Sequence, residues 1–216
     1  MPKAAILDVD GTLIDNNYQH ALAWHHALRR VGIVVPVWKL HGAVGVGGDK
    51  FVAKVAGDEA EADHGDAARE HEGEIFDAMI DDIVAFDGAT EFIRELKDRG
   101  LTVVLASSGN AKDIERFIEL LEVGDLLDGW TTSDDVDASK PEPDLVEVAL
   151  EKAGTDDAVM VGDTPYDVVA ADRAGIPAIA LLSGGFARAD LEEAGPAAIY
   201  ESVDELRREL DGSPLA

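Results

Sequence analysis

Short, unbroken apolar runs punctuate this chain, and three of them end on polar clusters. Ala4-Ala5-Ile6-Leu7 leads into Asp8, residues 101–106 (LTVVLA) into Ser107, and residues 158–161 (AVMV) into Gly162-Asp163. Residues 176–182 (IPAIALL) form a fourth run. Runs this short and this apolar read as strands buried on both faces, the pattern of a parallel sheet. Residues 130–132 and 197–200 supply two shorter candidates. Between the runs, residues 89–99, 111–122, 142–153, 165–174 and 203–210 space their apolar side chains as amphipathic helices do. Gly100, Gly154 and Gly175 stand where three of those helices would close. Strands alternating with helices define an α/β fold with a Rossmann-like, doubly wound parallel sheet. Such sheets carry their ligand crevice at the C-terminal strand ends. The polar clusters therefore become the candidate site.

Residues 15–87 break this rhythm. They hold helical patterns and no convincing strand. Residues 18–31 place Ala21, Leu22, Trp24, His25, Leu28 and Val31 close to one face. Residues 57–74 are acidic and polar, and read as a solvated face or a mobile connection. The expected organisation is a catalytic core of residues 1–14 and 88–216 with a helical domain, 15–87, inserted into it.

Charge narrows the range of partners. The 216 residues include 45 acidic and 18 basic side chains, a net charge of −27. The resulting field repels nucleic acid and anionic membranes. It fits an acidic proteome, with adaptation to salt as one reading. Hydrophobic residues make up 46% of the chain, enough for a proper core. The absence of cysteine excludes disulfides, thiolate nucleophiles and cysteine–zinc sites. The first strand starts at Ala4, so no signal peptide is expected. No apolar run nears the ~20 residues of a membrane span. A cytoplasmic protein, monomeric or a weak homodimer, is the expectation.

Within Asp8-Val9-Asp10-Gly11-Thr12, two carboxylates lie two residues apart at a strand end, and Gly11 gives the chain freedom to turn. One carboxylate can attack an electrophile while the other moves a proton. An EF-hand calcium loop shares the Asp-x-Asp start but needs further oxygen ligands, which the following Leu-Ile-Asp-Asn-Asn does not supply. A plain turn is the other structural alternative. Ser107-Ser108-Gly109-Asn110 offers hydroxyls and backbone N–H groups to an anionic oxygen, or simply a helix cap. Lys140, flanked by Ser139 and Pro141, is a fixed cation or a surface lysine in a proline-rich turn. Asp163 and Asp167 add hard oxygen ligands for a divalent cation, or cap the helix that Pro165 opens.

In this order, DVDGTLID, LASS, SKPEPD and GDTPYD resemble the four motifs of the haloacid dehalogenase-like superfamily. The likeness extends to the insertion after the first motif, where the family carries a helical cap. The resemblance implies that Asp8 is a nucleophile forming an aspartyl-phosphate and that Asp10 is the general acid and base. It implies that Mg²⁺ is held by Asp8, the Asp10 carbonyl and Asp163, with Asp167 beside them. It further implies that Ser107 and Lys140 hold the phosphoryl oxygens, with Ser108 and Gly109 adjacent. An acid at position 10 favours a phosphatase over the true dehalogenases, because an ester leaving group needs a proton and a halide does not. The implied partner is a small phosphorylated metabolite.

The branch most resembled contains phosphoglycolate phosphatases and β-phosphoglucomutases. His20 falls where the mutases carry a histidine, making it a candidate substrate contact. The loop Gly45-Val46-Gly47-Gly48-Asp49 lacks the arginine with which mutases close on a second phosphate. A sugar-phosphate mutase and a non-catalytic phosphate-binding protein remain the alternatives. Lys39, Lys50 and Lys54 are read as surface residues, and Trp24 and Trp38 as core.

Overall fold

The computed structural model describes residues 2–136 and 138–216. Its elements run β1 (Ala4–Leu7), β2 (Ile14–Asp15), α1 (Asn17–Arg30), α2 (Val37–His41), α3 (Gly48–Ala56), α4 (Asp58–Asp77) and β3 (Val84–Ala85). They continue α5 (Ala89–Asp98), β4 (Thr102–Ala106), α6 (Ala111–Leu121), β5 (Gly129–Thr131), α7 (Asp144–Ala153) and β6 (Ala158–Gly162). The last are α8 (Pro165–Arg173), β7 (Ala178–Leu181), α9 (Arg188–Ala194), β8 (Ala198–Tyr200) and α10 (Val203–Arg208). Six strands form one sheet in the order β5-β4-β1-β6-β7-β8, and every pairing is parallel. β1 lies at the centre, with Ile6 opposite both Val104 and Met160.

Alternation along the strands builds the two layers. Ala5, Leu7, Val103, Leu105, Val159 and Val161 join a core with α5, α6 and α10, through residues such as Phe92, Phe117 and Leu206. Ala4, Ile6, Val104 and Met160 face the other way, onto Leu145 of α7, Val168 of α8 and Leu191 of α9. Each large aliphatic buried this way contributes about 1.5–3 kcal/mol. Both faces of the sheet are covered by helices, as the unbroken apolar runs required.

The structure moves two expected starts. The fourth long strand begins at Ala178 rather than 176, because Gly175 and Pro177 hold the chain in a turn before it. α7 begins at Asp144 rather than 142, after two prolines that the helix interior would not accept.

The insertion is helical, with its own core of Trp24, Leu28, Leu40, Phe51, Val52 and Ala68. Two findings differ from the sequence reading. A short antiparallel pair, β2 with β3, joins the strands that enter and leave it, with Ile14 opposite Ala85. Residues 58–74 are not a mobile connection but most of the twenty-residue helix α4, packed on α1 and α3, with the solvated face that is the other reading of this stretch. Its buried positions include Gly65 and Ala68, too small to register as an apolar stripe. Its opening turn holds Asp58, Glu59 and Glu61, where negative charge favours a helix.

Candidate active site

β1 delivers the first carboxylate pair. Asp8 is buried, at 4% exposure. Its Oδ1 pairs with Lys140 Nζ, and its Oδ2 accepts the Thr12 hydroxyl at 3.3 Å. Gly11 turns with φ +74°, and a Cβ there would overlap the side chains of Asn17 and Asp163. Both backbone angle and space therefore demand glycine. Asp10 has different partners: Asn16 Nδ2 donates to its Oδ1, and His20 Nε2 lies 3.7 Å from the same oxygen.

β6 delivers the second pair. Thr164 and Asp167 form a reciprocal capping box at the start of α8, with Pro165 in the first turn. Asp167 Oδ2 accepts the Thr164 N–H at 3.0 Å and its hydroxyl at 2.7 Å. The other oxygen lies 2.7 Å from Lys140 Nζ yet receives no well-directed hydrogen bond. Asp163 is fully buried; it accepts from Thr12 Oγ1 at 3.1 Å and from Asn17 Nδ2 at 2.7 Å.

Asp8, Asp163 and Asp167 present oxygens within 4.8 Å of one another. Burial pushes the Asp8 carboxyl up to about 7, with Asp167 and Asp10 adding to the rise and Lys140 opposing it. Burial, then Asp8 and Asp167, hold Asp163 well above the usual carboxylate range. Burial works against the Lys140 ammonium, but Asp167 and Asp8 outweigh it and raise its pKa. Three enclosed carboxylates thus stand beside one lysine, which pairs with Asp8 and Asp167. A divalent cation fits this set: it would supply the missing positive charge, and Asp167 Oδ1 is an oxygen in want of a well-directed partner.

Asp10 and His20 form a separate pair. Burial disfavours charge on both. For Asp10, the nearby His20 and the hydrogen bond from Asn16 outweigh it and lower the carboxyl below its ordinary value. For His20, Asp10 and Glu72 outweigh it and raise the imidazolium to about 10. His20 Nδ1 is 3.0 Å from Glu72 Oε1, and the ring stacks on Phe76 at 3.8 Å.

The two serines differ. Ser107 is fully buried, and its Oγ accepts the Gly109 N–H at 3.0 Å. Ser108 and Gly109 line a chamber of about 420 Å³ that also exposes Asp8, Asp10, His20 and Lys140. The far wall comes from the insertion, whose glycine loop fits onto the core. Gly47 meets Ser139 so closely that a Cβ would overlap it. Ser139 Oγ donates to Asp49 Oδ1, and Lys50 Nζ donates to the Ser139 carbonyl at 2.8 Å.

Every residue singled out in the four motifs lies at this one sheet edge. Sequence reasoning missed Thr12, Asn16 and Asn17, which hold the carboxylates in place. Their position directly after the Asp-x-Asp pair was the available signal. It named Asp49 only as part of the glycine loop, without a role, and did not name Arg69 or Glu72. Trp24 is buried against Phe51, as expected, but also lines the chamber. Trp38 is not core: it is 72% exposed, with Lys39 over its ring. Lys54 sits over the Tyr166 ring.

These strand-end carboxylates, the shared lysine and the helical insertion define a class. The sequence profile described as haloacid dehalogenase-like hydrolase matches residues 5–181. The chain belongs to that family and is a hydrolase. It is 28% identical over 197 residues to the validoxylamine A 7'-phosphate phosphatase of Streptomyces hygroscopicus subsp. limoneus, covering 85% of this chain and 87% of that one. It is 25% identical over 220 residues to the phosphoglycolate phosphatase of Pseudomonas fluorescens, covering 98% and 80%. A crystal structure of a hydrolase from Pseudomonas syringae superposes with a TM-score of 0.92 at 30% identity, covering 97% of this chain and 98% of that one. Among the described residues, no helix is long and apolar enough to cross a membrane.

Proposed function

We propose that this hydrolase is a Mg²⁺-dependent phosphatase that cleaves a small organic phosphate monoester through an aspartyl-phosphate on Asp8. The observation that carries the reading is the buried triad Asp8, Asp163 and Asp167, of which Asp8 and Asp167 pair with Lys140 while Asp163, among the described residues, pairs with no cation. Such a site is short of positive charge until a metal enters, and an anionic substrate deepens that need. The two relatives, both phosphatases by name, agree with it.

A carboxylate oxygen of Asp8 attacks phosphorus, and the bond from phosphorus to the ester oxygen breaks. Asp10 passes to that leaving oxygen a proton supplied by the His20 imidazolium beside it. It then takes a proton from the water that attacks phosphorus, which frees phosphate and restores the Asp8 carboxylate. Lys140, the Ser107 hydroxyl and the Ser108 N–H hold the non-bridging oxygens, whose charge must be neutralised for transfer, and the Gly109 N–H holds Ser107 Oγ in place. Asp8, Asp163 and the Asp10 carbonyl, with Asp167 adjacent, would hold Mg²⁺, which would supply charge neutralisation and positioning. Thr12 and Asn17 fix the carboxylates that hold it. His20 orients Asp10 rather than touching substrate, because both its ring nitrogens face carboxylates. The helical insertion, 15–87, serves as the cap that excludes water.

The test is phosphate release from p-nitrophenyl phosphate. Activity is expected with Mg²⁺ and absent in chelator. Full activity in protein shown to be metal-free by elemental analysis overturns the metal assignment.

A further inference from the structure

The charges lining the chamber, apart from the reacting groups, are uneven in how they are used. Arg69 and His20 are its two remaining cations, and neither is free. Arg69 Nη2 lies 2.8 Å from both Glu61 Oε1 and Asp66 Oδ1, and Nη1 donates to the Gly48 carbonyl at 3.1 Å. His20 is held between Asp10 and Glu72. Two of the lining carboxylates have no such counterpart. Among the described residues, Asp49 accepts only the neutral Ser139 hydroxyl, and Asp113 accepts only from the Asn110 amide. No uncommitted cation waits for a second anion, and two carboxylates stand ready to repel one.

The rest of the lining has a complementary character. Trp24 stacks on Phe51 at 4.1 Å, and both rings line the chamber with Phe76. Each ring has one face taken by its stacking partner, His20 in the case of Phe76, so together they give the chamber a rigid apolar wall suited to the C–H surface of a saturated ring. Ionised carboxylates accept hydrogen bonds and donate none, so they suit hydroxyl and amine donors. The volume, about 420 Å³, falls in the small-ligand range of about 300–1,000 Å³.

We propose that this chamber selects phosphate monoesters of polyhydroxylated, uncharged or amine-bearing alcohols, of the sugar or cyclitol kind. Asp49 and Asp113 determine that choice by rejecting a second anionic group. This rests on the phosphatase reading. It adds that charge on the leaving group, rather than size alone, decides which ester is turned over.

Matched pairs test it with the full chain and Mg²⁺. Glucose 6-phosphate is compared with 6-phosphogluconate, and glycerol 3-phosphate with 3-phosphoglycerate; within each pair the second member bears a carboxylate. Glucosamine 6-phosphate adds an amine, and p-nitrophenyl phosphate reports basal hydrolysis. The expected kcat/KM favours the member without the carboxylate by about tenfold or more in each pair, like charges being costly at close quarters. Asp49→Asn with Asp113→Asn, which keeps shape and removes charge, is expected to bring the ratio toward one by lowering KM for the anionic member. Equal or greater activity of the wild type on the anionic members overturns the proposal. So does a ratio that the double variant, shown to be folded, leaves unchanged. Loss of all hydrolysis, including that of the aryl phosphate, would instead remove the phosphatase reading beneath it.

Discussion

Lys140 Nζ lies 2.7 Å from Asp167 Oδ1, with both side chains at 2% exposure or less. That contact, with the companion pair to Asp8, ties the loop before α7 to the end of β1 and the first turn of α8. Removing one partner from a buried ion pair typically costs about 3–5 kcal/mol. Lys140→Met is therefore expected to lower the melting temperature of metal-free protein markedly, and saturating Mg²⁺ to restore part of the loss. Differential scanning calorimetry with and without metal checks this. A variant as stable as the wild type without metal would contradict it.

Gly47→Ala probes the seating of the insertion on the core. Gly47 has φ −62°, so its backbone accepts alanine, but the added Cβ would overlap Ser139. The expected outcome is a fall in kcat/KM of about tenfold or more, since small misplacements of a closing element are costly, with little change in melting temperature. Unchanged kinetics would mean that this contact does not shape the site.

Asp128 gives a pH dependence. It accepts the Val103 N–H at 2.7 Å and pairs with Lys97 at 2.5 Å. Burial tends to raise its carboxyl, but Lys97 and the Val103 N–H outweigh it and hold the value below the ordinary 3.8. A depressed folded value means that its stabilisation is present above pH 3.8 and lost as pH falls through the folded value. Asp128→Asn should flatten the loss of stability on acidification below about pH 4. Urea titrations across that range read it out. An identical acid profile would show that the pair contributes nothing.

A net charge of −27 repels itself in the compact state, and added ions screen that repulsion. The melting temperature should rise with sodium chloride. A steady fall would contradict this.

The sheet was legible because each central strand is a complete apolar run; Ile6 and Leu7 point to opposite cores, and no polar alternation blurs them. The motif residues were legible because each follows such a run directly. What the sequence hid depends on packing between distant segments. α4 buries small residues beneath an acidic surface, so its helical face carries no apolar signal. Glu72 matters only because α4 brings it 3.0 Å from His20, fifty-two residues earlier. Trp38 breaks the rule that large aromatics are buried because the short helix α2 turns only Leu40 fully inward. The committed state of Arg69, which decides what the chamber can bind, depends on Glu61 and Asp66 and carries no sequence motif.

The central claim is that Asp8 is the nucleophile, and Asp8→Asn tests it most directly. The amide keeps the shape of the side chain and removes its attacking charge. Hydrolysis of p-nitrophenyl phosphate by wild type and variant is measured at saturating Mg²⁺, with folding verified by circular dichroism. The expected result is a loss of at least about a thousandfold in kcat, on the scale of removing a covalent nucleophile. A folded variant that retains activity within tenfold of the wild type would contradict the account.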